Sequence, residues 1–226
     1  MLSDAKMPKA LDSIAPREFA GDRGGFTESR EILVPHEPGA GRSTAVRNLL
    51  IQSSLLELKE NGYYERYSKN IDPKVLESLL ASLAPGWIPM DLALAHYQAC
   101  ERLELTPDEL SAVGTRVGTR VQSALLVSLA KTVREANYDI WMATGQLNRM
   151  LRRLHHGGSV QMVKVGPKDK LLEERGFQVT RYNYVRQCHL AVTRATYAAL
   201  GASVKYAKIV SYDAATDDFV IGIGWL

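Results

Sequence analysis

Gly157-Gly158-Ser159-Val160-Gln161-Met162-Val163-Lys164-Val165 is the stretch on which the fold turns. Before the glycine pair, apolar residues recur every three or four positions, the period of a helix with one buried face. After it they alternate, the period of a strand with one buried face. Working outward toward the C-terminus, residues 176–185 (GFQVTRYNYV) alternate again and are expected as a second strand. An amphipathic helix is expected from Arg186 to Leu200, closed by Gly201. Val204–Tyr212 and Phe219–Trp225 then read as two strands on either side of a turn at Asp213–Asp218.

Toward the N-terminus the helical signals are explicit. Ser43-Thr44 reads as an N-cap ahead of Val46, Leu49, Leu50, Leu55, Leu56 and Leu58, with Asn61-Gly62 as the stop. Asp72-Pro73 starts a second helix that carries Val75, Leu76, Leu79, Leu80 and Leu83 and ends at Pro85-Gly86. Pro89 opens a third, and Thr106-Pro107-Asp108-Glu109 has capping-box spacing for a fourth, running to about Ala130. A further helix is expected after Asn137, ending at Leu154. The expected architecture is α+β: a helical N-terminal half packed on a four-stranded antiparallel sheet in ββαββ order in the C-terminal half.

Residues 1–43 read as a flexible leader, with 44–226 as a single domain, because prolines and glycines alternate through the leader and forbid a long helix. Glu31–Val34 is the one piece that can add to a sheet as a strand. Seven basic residues oppose seven acidic ones through residue 50, so the leader is no basic arm for nucleic acid. With 46% hydrophobic residues and a net charge of +3, a wholly disordered chain is excluded. The two cysteines, Cys100 and Cys188, are too far apart for a zinc knuckle and too few for a disulfide framework. Neither an apolar run long enough to span a membrane nor a secretory signal is found, so a cytoplasmic location is expected.

The order of these signals resembles the ligand-binding fold shared by heme-NO-binding (H-NOX) domains, bacterial vinyl reductase domains and TRAPP subunits. More narrowly, it is similar to an uncharacterised family abundant in myxobacteria. The features that carry the resemblance run from Ser54 to Trp225. They are the short helix ending near Gly62, the Trp87-Ile-Pro-Met-Asp-Leu92 entry into a helix, the Asn148-Arg-Met-Leu-Arg152-Arg153 helix end, and a final hairpin closing on Trp225. In heme-binding members, the resemblance implies a proximal histidine on a helix and a Tyr-x-Ser-x-Arg motif that grips the propionates. This chain has Tyr182-Asn-Tyr184-Val-Arg186 on the expected second strand, with a tyrosine in place of the serine. His155 stands upstream, but beside Gly157-Gly158 it is expected in an exposed turn, so heme is set aside and no cofactor or metal is expected.

No motif of catalysis is present: neither a P-loop, nor G-x-S-x-G, nor H-E-x-x-H. Cys188 and His189 are neighbours on a helix and point about 100° apart, which is unsuited to a nucleophile–base pair. Between Gly145 and Arg194, ten basic residues face three acidic ones. Without an aromatic stacking platform this bias reads as a solvated face, so nucleic acid is not an expected partner. Arg152 and Arg153 near the end of a helix suit its carbonyl end and, with His155, form a candidate anion site. Trp87, Tyr182, Tyr184 and Arg186 are the candidate lining of a pocket. Gly114 and Gly118, four apart, predict a close helix–helix approach.

The resulting expectation is a non-enzymatic regulatory or sensory domain, with a small apolar molecule or a protein as partner and a homo-oligomer as its assembly state. The alternative is a structural module with a filled core. A cavity of about 300 Å³ or more is the feature expected of the sensor.

Overall fold

The computed structural model describes residues 30–84, 86–135, 140–142, 145 and 152–226, and among residues 122–139 no side chain. The leader's first 29 residues and most of the helix expected between Asn137 and Leu154 lie outside the described residues. The chain is α+β: most of its helical residues lie between 48 and 135, with one further helix at 183–199, and four of the five strands of its main antiparallel sheet lie beyond residue 158.

In chain order, β1 (Glu31–Val34) and β2 (Ala45–Arg47) precede α1 (Asn48–Glu60), α2 (Tyr64–Asn70) and α3 (Pro73–Ala81). Then come β3 (Trp87–Pro89), α4 (Met90–Glu101) and α5 (Pro107–Glu135). Past the helical residues 152–154 follow β4 (His155–His156), β5 (Ser159–Gly166) and β6 (Asp169–Arg175). A 3-10 turn at Gln178–Arg181 leads into α6 (Asn183–Ala199), β7 (Val204–Asp213) and β8 (Asp218–Trp225).

The main sheet has five strands in the order β1-β5-β6-β8-β7, every neighbour antiparallel. The expected count of four is corrected by β1, which runs along the free edge of β5. Side chains hold it there: Arg30 reaches Glu173, and Lys164 lies 3.7 Å from Glu31. Beyond its end, the Ser159 hydroxyl accepts from the Glu37 N–H at 2.8 Å and pairs with His36 Nδ1 at 2.9 Å.

Two of the expected elements are displaced. Ser43-Thr44 does not cap a helix. Ala45–Arg47 pairs with both β3 and β4 in a second, three-stranded sheet, and α1 starts at Asn48. The second strand is not 176–185 but 169–175. Its buried positions are Lys170, Leu172 and Glu174, so the alternation of burial is there and the alternation of apolarity is not. Gly176 has φ +70, outside the strand region, and the chain then tightens into the 3-10 turn. Tyr182 and Tyr184 consequently stand at the start of α6 rather than on a strand.

Two apolar clusters form the core. One fills the space among α1–α5, centred on Ile51, Leu58, Tyr67, Leu79, Ile88 and Leu103. The other lies between the sheet and α6, with Met162, Leu172, Tyr197, Phe219, Ile221 and Trp225. They are joined where α5 crosses α6. A Cβ on Gly114 would stand 2.6 Å from the Cys188 carbonyl oxygen and 2.9 Å from the Ala191 methyl, so the two helices touch backbone to backbone as the glycine spacing predicts. At Gly118 the nearest atoms belong to Val192, at 3.1–3.4 Å.

Gly114→Ala is therefore expected to destabilise the protein by about 1–3 kcal/mol through overpacking, despite alanine's higher helix propensity. Gly118→Ala is expected to cost less, because part of what it meets is the Val192 side chain. Urea unfolding of the two variants checks the order, and an unchanged midpoint for Gly114→Ala would contradict the close crossing.

Candidate functional site

Beside the α5–α6 crossing the packing is incomplete. A cavity of about 130 Å³ lies among α1 (Leu50, Ser54), α4 (Tyr97), α5 (Val117, Gly118, Val121) and α6 (Tyr184, Val185, Cys188, His189, Val192). Leu154, His155, Glu174, Phe177, Val179 and Thr180 complete its wall. The lining is mostly apolar, and among the described residues no lysine or arginine is part of it.

Three titratable groups stand together on this wall. Glu174 projects from the helix-facing side of β6 and is 4% exposed. Its closest ionisable neighbour is His189 Nε2, 3.5 Å away, and among the described residues its carboxylate accepts no hydrogen bond. Burial raises its pKa, an effect the nearby His189 opposes. His155 is held by β4, whose backbone pairs with Ala45 and Val46, so it does not sit in a loose, exposed turn as expected. Its ring packs edge-on against Phe177 with centroids 4.6 Å apart, and its Nδ1 is sealed from solvent without a hydrogen-bond partner. Burial, aided by His189, pushes its pKa down to about 3, so the imidazole is neutral.

A second polar group reaches the cavity from the helical core. Tyr67 OH bonds His96 Nδ1 at 2.8 Å, His96 Nε2 bonds Ser54 Oγ at 2.9 Å, and Ser54 Oγ lies 3.5 Å from Tyr184 OH. This chain has the residue order of a nucleophile, a base and an orienting hydroxyl. Burial holds His96 down at about 3, however, which makes it a poor base, and the network reads as a satisfied buried relay. Cys188 is equally unreactive: burial pushes its thiol up to about 12, and it donates to the Leu110 carbonyl at 3.6 Å.

Of the candidate residues read from the sequence, the structure brings Tyr184 and His155 to the cavity. Trp87 is on the edge strand β3, under the Arg47 guanidinium at 4.4 Å and beside His156. Tyr182 packs half-buried against the helical core. Arg186 donates to the Thr180 and Arg181 carbonyls at 2.7 and 2.8 Å and lies over the Tyr212 ring. Arg152 pairs with exposed Glu37 at 3.5 Å, and Arg153 is exposed. Glu174 was missed because it sits in a charged run, Asp169 to Arg175, whose strand period is hidden by the residue types.

No family model matches the chain, and no curated protein matches it. Solved structures do. The Fe(II) unliganded H-NOX protein from K. algicida superposes with a TM-score of 0.54 at 9% identity, covering 80% of this chain and 96% of that one. A point mutant of that protein gives a TM-score of 0.57 at 11% identity with the same coverage. The chain thus has an H-NOX-like fold.

That likeness overturns the expectation of no cofactor with heme set aside: the fold is that of Fe(II) H-NOX proteins, and heme is a candidate group for it. Tested against this chain's residues, the donor chemistry suits iron, since His155 is a neutral imidazole with an unpartnered Nδ1. The space does not suit a macrocycle. An apolar cavity of roughly 150 Å³ takes up one benzene ring, and the cavity here is about 130 Å³. Arg186 and Tyr184 of the Tyr-x-Tyr-x-Arg sequence are also engaged in contacts with the protein itself. A porphyrin does not fit this conformation.

The neutral state of His155 has a consequence for stability. Its folded pKa lies below the unfolded value of 6.5, so the unfolded chain binds the extra proton and stability falls as the pH drops from 6.5 toward about 3. The loss attributable to one such group approaches about 1.4 kcal/mol per pH unit between the two pKa values. Urea midpoints measured from pH 7 to pH 5 are expected to fall less steeply in His155→Phe than in the wild type. Parallel slopes would show that His155 titrates normally.

Proposed function

We propose that this chain is a non-enzymatic sensory domain that admits a small molecule to the cavity beside the α5–α6 crossing. The observation that carries this reading is the wall itself: an apolar space onto which His155 brings a buried Nδ1 without a hydrogen-bond partner, beside Glu174, whose nearest ionisable neighbour is His189 at 3.5 Å. Buried polar groups are normally satisfied, and leaving one unpaired costs about 1–3 kcal/mol. A ligand that supplies the missing partner recovers that free energy, which makes occupancy and stability interdependent.

Support also comes from the H-NOX-like fold, whose solved examples are Fe(II) proteins described in an unliganded state. The cavity falls short of the ~300 Å³ expected of a sensor, which points to a ligand of one ring. Regulation would pass through α6, because this helix carries Tyr184, Cys188, His189 and Val192 on the cavity and also covers the sheet. The output is a protein partner or a second copy of the chain, in the cytoplasm. No described helix is long and apolar enough to cross a membrane.

Thermal unfolding of the purified full-length chain with single-ring compounds, and in parallel with hemin followed by absorbance, tests the reading. A rise in Tm with a single-ring compound, lost in Val117→Trp where the cavity is filled, is expected. A Soret band dependent on His155 would also place the ligand at this wall, with the cavity opening to admit the macrocycle. If neither a single-ring compound nor hemin binds, the structural module with a passive cavity replaces the sensor.

A further inference from the structure

We infer that the cavity selects a hydrogen-bond donor, specifically a primary amine on a single apolar ring, with Glu174 as its anchor. This rests on the proposal that the cavity is a ligand site and adds the class of ligand.

The inference comes from the polarity of the groups on the wall. Glu174 offers carboxylate oxygens, which accept hydrogen bonds when ionised. His155 is neutral, and its Nδ1 has no partner. His189 Nε2 stands 3.5 Å from Glu174, an ion-pair contact when the imidazole is protonated, and leaves the second carboxylate oxygen free for a ligand. The neighbouring arginines are committed elsewhere. Arg181 is 3.2 Å from Asp217, Arg175 is 3.9 Å from Asp218, and Arg30 reaches Glu173. Glu174 is thus a buried acid that His189 faces and, among the described residues, no lysine or arginine does, in a cavity whose remaining lining is mainly aliphatic and aromatic.

An anion is disfavoured by the same logic: among the described lining residues no lysine or arginine is available to it, and His189 already faces Glu174 at 3.5 Å. A wholly apolar ring would fill the space and give the acid no partner beyond His189. An ammonium group supplies three donors and a charge of the right sign, and its ring replaces the apolar contacts missing from the cavity. The size of the cavity restricts the body of the ligand to about one ring.

The probe set is benzylamine, benzyl alcohol, toluene and benzoate, titrated calorimetrically into the full-length protein at pH 8. Benzylamine is expected to bind at least about tenfold more tightly than benzyl alcohol or toluene, with benzoate weakest. In Glu174→Gln that preference is expected to collapse, while toluene binding is retained. Equal binding of benzylamine, benzyl alcohol and toluene would overturn the amine class and leave the ligand site standing. Failure of all four to bind, together with a negative hemin titration, would remove the ligand site itself. Because the ranking is measured on the wild-type chain, it decides the question even if Glu174→Gln fails to fold.

Discussion

The contact of α5 with α6 at Gly114 is the constraint from which the rest of the structure follows. With a Cβ only 2.6 Å from the Cys188 carbonyl, no other residue type allows these backbones to meet. The crossing ties the helical core to the sheet, because α6 packs against α5 on one side and covers the β6–β8 face on the other. One turn further along α5, at Gly118, the helices begin to separate, and α1, α4 and the turn at 177–180 do not fill the gap. The cavity is the geometric remainder of a close approach made elsewhere.

The division of the chain into helices and a sheet is legible because Gly157 and Gly158 mark a real joint. Both have positive φ, and a Cβ on Gly157 would meet the Arg42 carbonyl at 2.7 Å. The helices from Asp72, Pro89 and Thr106 announce themselves through caps that the structure uses: Asp72 accepts from Lys74 and Val75, and Glu109 accepts from the Thr106 N–H at 2.8 Å. The strand β6 is illegible for an equally physical reason. Its inward positions include Lys170 and Glu174, two charges that composition assigns to solvent. Lys170 is kept company by the Tyr197 ring at 4.8 Å, and burial pulls its pKa down to about 7.

The site is less legible than the fold. Tyr184 and His155 can be named from the sequence as candidates, but their roles there depend on a resemblance, and the resemblance places Tyr184 on a strand. The residue that gives the cavity its chemistry is Glu174, which no local pattern distinguishes from Glu173, its exposed-side neighbour paired with Arg30. Only the register of β6, with Glu174 opposite Phe219, settles which of the two adjacent acids turns inward. The chain has an H-NOX-like fold, and the space its side chains leave beside the α5–α6 crossing is on the scale of one ring.

The most direct test of this account is imidazole nitrogen NMR of His155 in the wild-type protein as a function of pH. A buried ring beside the cavity is expected to keep the neutral signature well below pH 6, with Nδ1 shifting when a single-ring ligand is added. A ring that titrates near 6.5 and ignores such ligands would mean that the wall is open to water, and the account of the cavity would be wrong.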